Sequence, residues 1–135
     1  MNEKPKMFVN EAADDAELAH MIISQLEECD REIERVANDI SESEIGHLEL
    51  VRDAENIESD FQLFITLYDP ETQGKEISRE TERHEQFLAH MHRNIEQNGK
   101  IIQAIKNIHR QLLASKVRLQ ALYRQVAFNS SDSAH

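Results

Sequence analysis

Apolar residues recur along the first half of the chain at alternating intervals of three and four residues. Between Ala19 and Tyr68, 13 of the 15 positions with this spacing are apolar, and Ser43 and His47 are the exceptions. A heptad repeat of this length predicts one long helix that packs along a single seam. The residues that we expect to carry this packing are Leu26, Ile33, Val36, Ile40, Phe61 and Phe64.

The same spacing returns in the second half of the chain, from Ile77 to Val126. Between the two patterns lies "DPETQG", residues 69–74, where Asp-Pro can end one helix and cap the next. The sequence therefore predicts an all-α fold, a long antiparallel helical hairpin over residues 10–128 with its turn at 69–74. We expect residues 1–9 and 129–135 to be flexible. The seam residues expected on the second helix are Ile101, Ile105, Ile108, Leu112, Leu119 and Leu122.

Two glycines interrupt these helical patterns, Gly46 in "EIGHLEL" and Gly99 in "EQNGKII". In a hairpin that turns at 69–74, facing residues have numbers that sum to about 143–145, so the two glycines lie at one level. The polar seam residues fall at this level too. Buried polar residues can fix the register of paired helices at a cost in stability. We therefore expect a polar register layer formed by Ser43, His47, Asn94 and Asn98.

The two glycines also allow an alternative fold. If both helices break near Gly46 and Gly99, the chain becomes a four-helix bundle of helices of about 25 residues each. Such a bundle would suit a regulatory domain or one that binds a small ligand or a metal. We favour helices that are continuous or merely kinked, because the sequence around each glycine offers too few residues for a tight reversal.

Composition narrows the class of protein. The 135 residues fit a single domain, 30% of them are charged, only 5% are aromatic, and the net charge of −11 disfavours DNA, RNA and anionic lipid as general partners. No run of about 18 apolar residues is present, which argues against a membrane span. A single cysteine, Cys29, fits a reducing compartment, so we expect an intracellular protein, cytoplasmic or nuclear.

Two Glu-x-x-His pairs, Glu17 with His20 and Glu44 with His47, have the spacing that di-iron helical bundles use. Such a site needs two pairs at one level. On an unbroken helix these two are about 40 Å apart. We therefore expect no metal site, with one histidine in the core and one at the surface.

The other candidate groups do not combine into a reactive site either. His90 and His92 point about 200° apart on a helix and cannot chelate together. His84 can lie in the seam one turn from Glu80, and we favour a solvated pair of the two over one that makes this end of the hairpin sensitive to pH. Cys29 falls on the seam and is expected to be buried and inert. We predict no catalytic residues, no cofactor and no enzymatic activity.

Residues 109–125, "HRQLLASKVRLQALYRQ", form a basic amphipathic segment. It allows a further alternative, a peripheral membrane or nucleic-acid binder. However, residues 1–70 carry 19 acids against 5 bases, whereas residues 71–135 carry 7 acids against 10 bases. We therefore expect these bases to meet the acidic first helix or an acidic partner.

Three short stretches, "AENI" at 54–57, "FLAHM" at 87–91 and "IEQNGKI" at 95–101, resemble the coiled-coil region of the central-channel FG nucleoporins. The resemblance covers about a third of the chain and implies helices that assemble with partner helices into bundles. The chain has no Phe-Gly repeats, so it departs from full-length members of that family. It also has the general character of small coiled-coil subunits of trafficking or kinetochore complexes.

The apolar stripe is wider than a two-helix seam requires, because apolar residues flank it on both helices. We therefore expect additional helices to cover it, from other helical proteins or from a second copy of the chain. The function expected from the sequence is a non-enzymatic structural or adaptor subunit of a multiprotein complex. The residues that widen the stripe are Ile23, Val51, Ile65, Leu88, Ile95, Ile102, Leu113, Val117 and Tyr123.

Overall fold

Two long helices make up almost all of the part of the chain that the structure describes. The computed structural model describes the backbone of residues 11–133 and the side chains of residues 14–129. Helix α1 is Glu11–Ile65, 55 residues long, and helix α2 is Gly74–Ser133, 60 residues long. No strand occurs within residues 11–133. The predicted all-α helical hairpin is therefore confirmed.

Both helices run without a break through the two internal glycines. Gly46 lies within α1 and Gly99 within α2, and neither has a positive φ angle. The four-helix bundle considered as an alternative is therefore wrong. A glycine costs only about 1 kcal/mol in a helix, and packing along a long seam outweighs that cost.

The connection between the helices comprises residues 66–73. Asp69 organises it, since its carboxylate accepts hydrogen bonds from the backbone N–H of Glu71 and from the hydroxyl of Thr72, both at 3.0 Å. The carbonyl of Gln73 accepts the first hydrogen bond of α2, from the N–H of Ile77 at 3.0 Å. The expectation that Asp-Pro caps the second helix is therefore corrected, because Asp69 is engaged within the turn and Gln73 takes the capping position.

The helix ends differ partly from expectation. Helix α2 extends to Ser133, so it includes most of the segment that was expected to be flexible from residue 129 onward. Residues 1–9, the other segment that was expected to be flexible, lie outside the described residues.

The chain divides into two compact units, each of which contains a stretch of both helices. The loop unit is Asp39–Lys106 and contains the turn. The terminal unit comprises the described residues up to Asn38 and from Asn107 onward.

In the loop unit, the seam on α2 is displaced by one residue from several predicted positions. Ile102 is 6% exposed, whereas Ile101 is 55% exposed. Likewise, Leu88 is half-buried and Phe87 is exposed. The prediction that Ile101 packs within the hairpin is therefore wrong, and Ile102 packs there instead. Ile105 is half-buried, and on α1 so are Ile40 and Phe61, whereas Phe64 is exposed and Ile65 is half-buried instead.

The terminal unit shows the same displacement. Ile108 and Leu122 are exposed, and the residues that follow them, His109 and Tyr123, are half-buried in their place. At these two pairs, as at Phe87–Leu88 and Ile101–Ile102, the later residue is the one that packs in the seam, whereas at Leu112–Leu113 it is the earlier one. The buried seam residues of this unit include Ile22, Cys29, Val36 and Val126, and the half-buried ones include Leu26, Ile33, Leu112 and Leu119.

Candidate functional site

A polar contact joins the two helices of the loop unit at the level of the glycines. The side-chain amide of Asn98 lies 3.4 Å from Nδ1 of His47, and both residues are half-buried. Ser43 is half-buried one turn away on α1. Asn94, the fourth residue of the expected layer, is exposed and contacts His90 of its own helix at 3.4 Å. The structure thus brings His47 and Asn98 together and leaves Asn94 outside the layer.

The imidazole of His47 also packs against the backbone of α2. A Cβ atom placed on Gly99 would lie 3.7 Å from Cε1 of His47, which is an ordinary van der Waals contact. A Cβ on Gly46 would meet nothing within 4 Å. Neither glycine is therefore needed to make room at this level, and helix packing does not by itself explain their presence.

An ion pair lies beside this layer. Lys106 Nζ is 3.4 Å from Glu44 Oε2, and both side chains remain partly exposed. An exposed pair of this kind contributes little to stability, typically less than about 1 kcal/mol. Its position between α1 and α2 agrees with the antiparallel pairing of the two helices.

A second polar cluster lies closer to the turn. Nε2 of His84 is 2.5 Å from Oε2 of Glu58, and the His84 ring stacks on Phe61 with ring centroids 3.9 Å apart. Gln62 donates a hydrogen bond to the other oxygen of Glu58 at 3.0 Å. The hydrogen bond from His84, with a smaller contribution from Gln62, lowers the pKa of Glu58 from its usual value of 4.5.

The partner predicted for His84 was Glu80, and the structure corrects this. Glu80 contacts Arg83 of its own helix at 3.3 Å, while His84 pairs with Glu58 across the seam. His84 points into the seam, where α1 supplies its neighbours, so a residue one turn away on the same helix is not its partner.

The two Glu-x-x-His pairs lie in different units. Glu17 and His20 are exposed at the surface of the terminal unit, and Glu44 and His47 belong to the loop unit. Within the described residues, no group of three or more histidine, cysteine, aspartate or glutamate side chains is arranged to hold a metal ion.

Cys29 is buried in the seam of the terminal unit. Its thiol lies 3.5 Å from the backbone carbonyl of Leu112 on α2 and donates a weak hydrogen bond to it.

An ion pair joins the basic segment 109–125 to the acidic helix. Lys116 Nζ lies 2.6 Å from Asp30 of α1. The guanidinium groups of Arg110 and Arg118 donate instead to neutral oxygens on α2, those of Asn107 and Ser115. The segment is thus partly neutralised by α1 and otherwise presents its charge at the surface.

Helix α2 carries a row of exposed apolar residues, most of which the sequence had placed in the seam. Four large side chains at one heptad position are between 44% and 55% exposed, and the sequence pattern had assigned all but one of them as leading seam residues. Phe87 and Ile101 lie in the loop unit and Ile108 and Leu122 in the terminal unit, and within each unit the two residues are two heptads apart and share one side of α2. We name this set the exposed row; its members are Phe87, Ile101, Ile108 and Leu122.

Beside the seam, the loop unit has an apolar groove between α1 and α2. Its cavity volume is about 550 Å³. Sequence reasoning had identified three of the eight lining residues, Val51, Leu88 and Ile95, as residues that widen the apolar stripe. The lining residues are Val51, Ala54, Glu55, Glu58, Ser59, Leu88, His92 and Ile95.

Comparison of the chain with protein-family models, with curated proteins and with solved structures finds no match in any of the three. The resemblance to the nucleoporin coiled-coil region therefore stays a prediction. Neither of the two described helices contains a stretch that is both long enough and apolar enough to cross a membrane.

Proposed function

We propose that this chain is a non-enzymatic structural or adaptor subunit that binds other helices. The observation that carries this proposal is the exposed row. Phe87, Ile101, Ile108 and Leu122 recur at one heptad position of α2, where Asn94 and Ser115 are the other members, and about half of each apolar residue stays exposed. Large apolar side chains that remain partly exposed at one heptad position are typical of a helix that packs against a further helix.

Binding at the exposed row would follow the physics of a helical bundle. Each large apolar side chain that is transferred from water into an interface contributes about 25 cal/mol per Å² of buried area. A partner helix with apolar residues at matching heptad positions would cover several members of the row at once. Affinity would come from these side chains, and the polar contact of His47 with Asn98 would keep the two helices of the loop unit in register.

The charge distribution favours a protein partner over a lipid or nucleic-acid surface. The chain carries a net charge of −11, and Lys116, in the middle of the basic segment, is paired with Asp30. Anionic surfaces would be repelled by the chain as a whole. We further propose an intracellular location, cytoplasmic or nuclear, which the single buried thiol of Cys29 supports.

The experiment that tests this proposal compares the size of the native complex for two variants in extracts of the cells that express the protein. In the first variant, Ile101 and Ile108 are both replaced by Gln, which removes apolar surface from the exposed row and keeps helix propensity. The control variant is Leu63→Gln, which changes an exposed leucine on α1. We expect the wild-type chain and the control to elute in a large complex and the double variant to elute free.

Circular dichroism would show that the double variant remains helical. The proposal is contradicted if the wild-type chain already elutes free, or if the double variant remains in the complex.

A further inference from the structure

The apolar groove of the loop unit has the form of a site for a third helix. The groove continues past its main cavity into a neighbouring depression of about 300 Å³, which is lined in part by Leu48, Gly99 and Ile102. Leu48 lies three residues before Val51, and Ile102 lies seven residues after Ile95, so both depressions lie on one side of the helix pair. Together they follow residues 44–59 of α1 and 88–106 of α2, which corresponds to about four to five helical turns.

The α1 side of this groove is acidic. Glu55 and Glu58 border the main cavity, and Glu44 borders the neighbouring depression together with Lys106, with which it forms an ion pair. Glu58 contacts His84 within the seam, so Glu55 is the rim carboxylate most open to an occupant. An occupant must therefore combine apolar side chains for the floor with positive charge for the α1 rim.

The chain itself contains a helix surface of this chemistry. On α2 in the terminal unit, exposed small and apolar residues recur at intervals of three and four, and arginines flank them. Val117 is 63% exposed. The arginines Arg110 and Arg118 donate to neutral oxygens, so their charge is available to an acidic partner. We name this surface the basic stripe; it comprises Arg110, Leu113, Ala114, Val117, Arg118, Ala121, Arg124 and Phe128.

We propose that the groove of the loop unit binds the basic stripe of a second copy of this chain. Charge is the first argument, since an acidic rim meets a row of arginines, and such complementarity fixes both partner and orientation. Length is the second argument. The basic stripe extends over about 27 Å from residue 110 to residue 128, and this matches the length of the groove, which is about four to five helical turns. Reciprocal contacts close a dimer, and non-reciprocal contacts extend into a chain of copies, so either arrangement produces self-association.

This inference rests on the proposed function, since it names one helix that the hairpin binds. The two can fail separately, because the groove and the basic stripe contain none of the residues of the exposed row. This inference alone would be overturned if the purified chain is monomeric while the chain in cell extracts elutes in a large complex that depends on Ile101 and Ile108. The proposed function would then still stand.

The test is sedimentation equilibrium on the purified full chain at several concentrations. The wild-type chain is expected to self-associate. Leu48→Gln, at a groove residue that is 64% exposed, and Val117→Gln, on the stripe, are each expected to raise the dissociation constant at least about tenfold. Leu63→Gln is the matched control, because it removes an exposed leucine from α1 outside the groove, and it should leave the dissociation constant unchanged.

A charge exchange makes the test specific to this pairing. We place Glu55 opposite Arg124 of the second copy, so Glu55→Arg and Arg124→Glu are each expected to weaken self-association and the double variant is expected to restore it. The proposal is overturned if the wild-type chain stays monomeric up to about 1 mM, where a complex with a millimolar dissociation constant is half formed. It is also overturned if the double variant self-associates no more strongly than the single variants. The same holds if Val117→Gln leaves self-association unchanged and weakens only the binding of the chain to vesicles of anionic phospholipid.

Discussion

The side-chain amide of Asn98 reaches across the loop unit to Nδ1 of His47, 3.4 Å away, in a seam that is otherwise mainly apolar. Both residues lie beside a glycine, and the two glycines lie within unbroken helices. This contact is the part of the expected register layer that the structure assembles. Its role in fixing the register remains a prediction.

Replacing both polar partners with leucine tests that role. The double variant His47→Leu, Asn98→Leu should unfold at a higher temperature than the wild-type chain, because apolar side chains pack better in a seam. It should also lose its unique register, since a uniformly apolar seam permits neighbouring alignments. Spin labels at the exposed positions 52 and 93, in a background without Cys29, would report this as a broader distance distribution. A distribution as narrow as that of the wild-type sequence would contradict the register role.

The glycines themselves can be tested in the same unit. Gly46→Ala should increase the free energy of unfolding by about 0.5–1 kcal/mol, because a Cβ there meets nothing within 4 Å and alanine favours the helix. Gly99→Ala should have a similar effect, reduced by any adjustment of His47, whose Cε1 would lie 3.7 Å away. Urea unfolding measures both. A destabilised Gly99→Ala variant would show that His47 approaches α2 more closely than this geometry allows.

Acid should weaken the loop unit through Glu58. Its pKa is lowered in the folded state, mainly by the hydrogen bond from His84, so its contribution to stability is present above the usual value of 4.5 and is lost as the pH falls through the folded-state pKa. Glu58→Gln should therefore be less stable than the wild-type chain at pH 7 and should lose less stability on acidification below about pH 4.5.

Thermal unfolding at a series of pH values would measure this difference. Glu49→Gln, at an exposed position of α1 outside the groove, serves as the control and should follow the wild-type profile. Parallel pH profiles for Glu58→Gln and the wild-type chain would refute the assignment.

The heptad spacing predicted the two helices, their antiparallel pairing and the level at which His47 meets Asn98. It could not decide which member of an adjacent pair packs in the seam. Ile101 and Ile102 both fit a spacing of three and four residues, and only the geometry of the opposite helix selects Ile102. At the adjacent pair Ile108 and His109, a rule that favours apolar residues would place Ile108 in the seam. In the structure, His109 is half-buried there and Ile108 is exposed.

The pairing of His84 with Glu58 shows a second limit. These residues are 26 positions apart in the chain, and only the fold brings them together. Sequence reasoning placed His84 in the seam but looked for its partner on the same helix, where Glu80 is engaged with Arg83. The groove was partly foreseen, since Val51, Leu88 and Ile95 had been identified as residues that widen the apolar stripe.

The most direct test of the account compares two adjacent isoleucines, Ile101 and Ile102, for both stability and assembly. Ile102→Ala removes a side chain that is 6% exposed and should lower the free energy of unfolding by about 2–5 kcal/mol. Ile101→Ala removes one that is 55% exposed, should cost less than about 1 kcal/mol, and should weaken the native complex. Equal destabilisation by the two substitutions, or a native complex that Ile101→Ala leaves intact, would contradict the account.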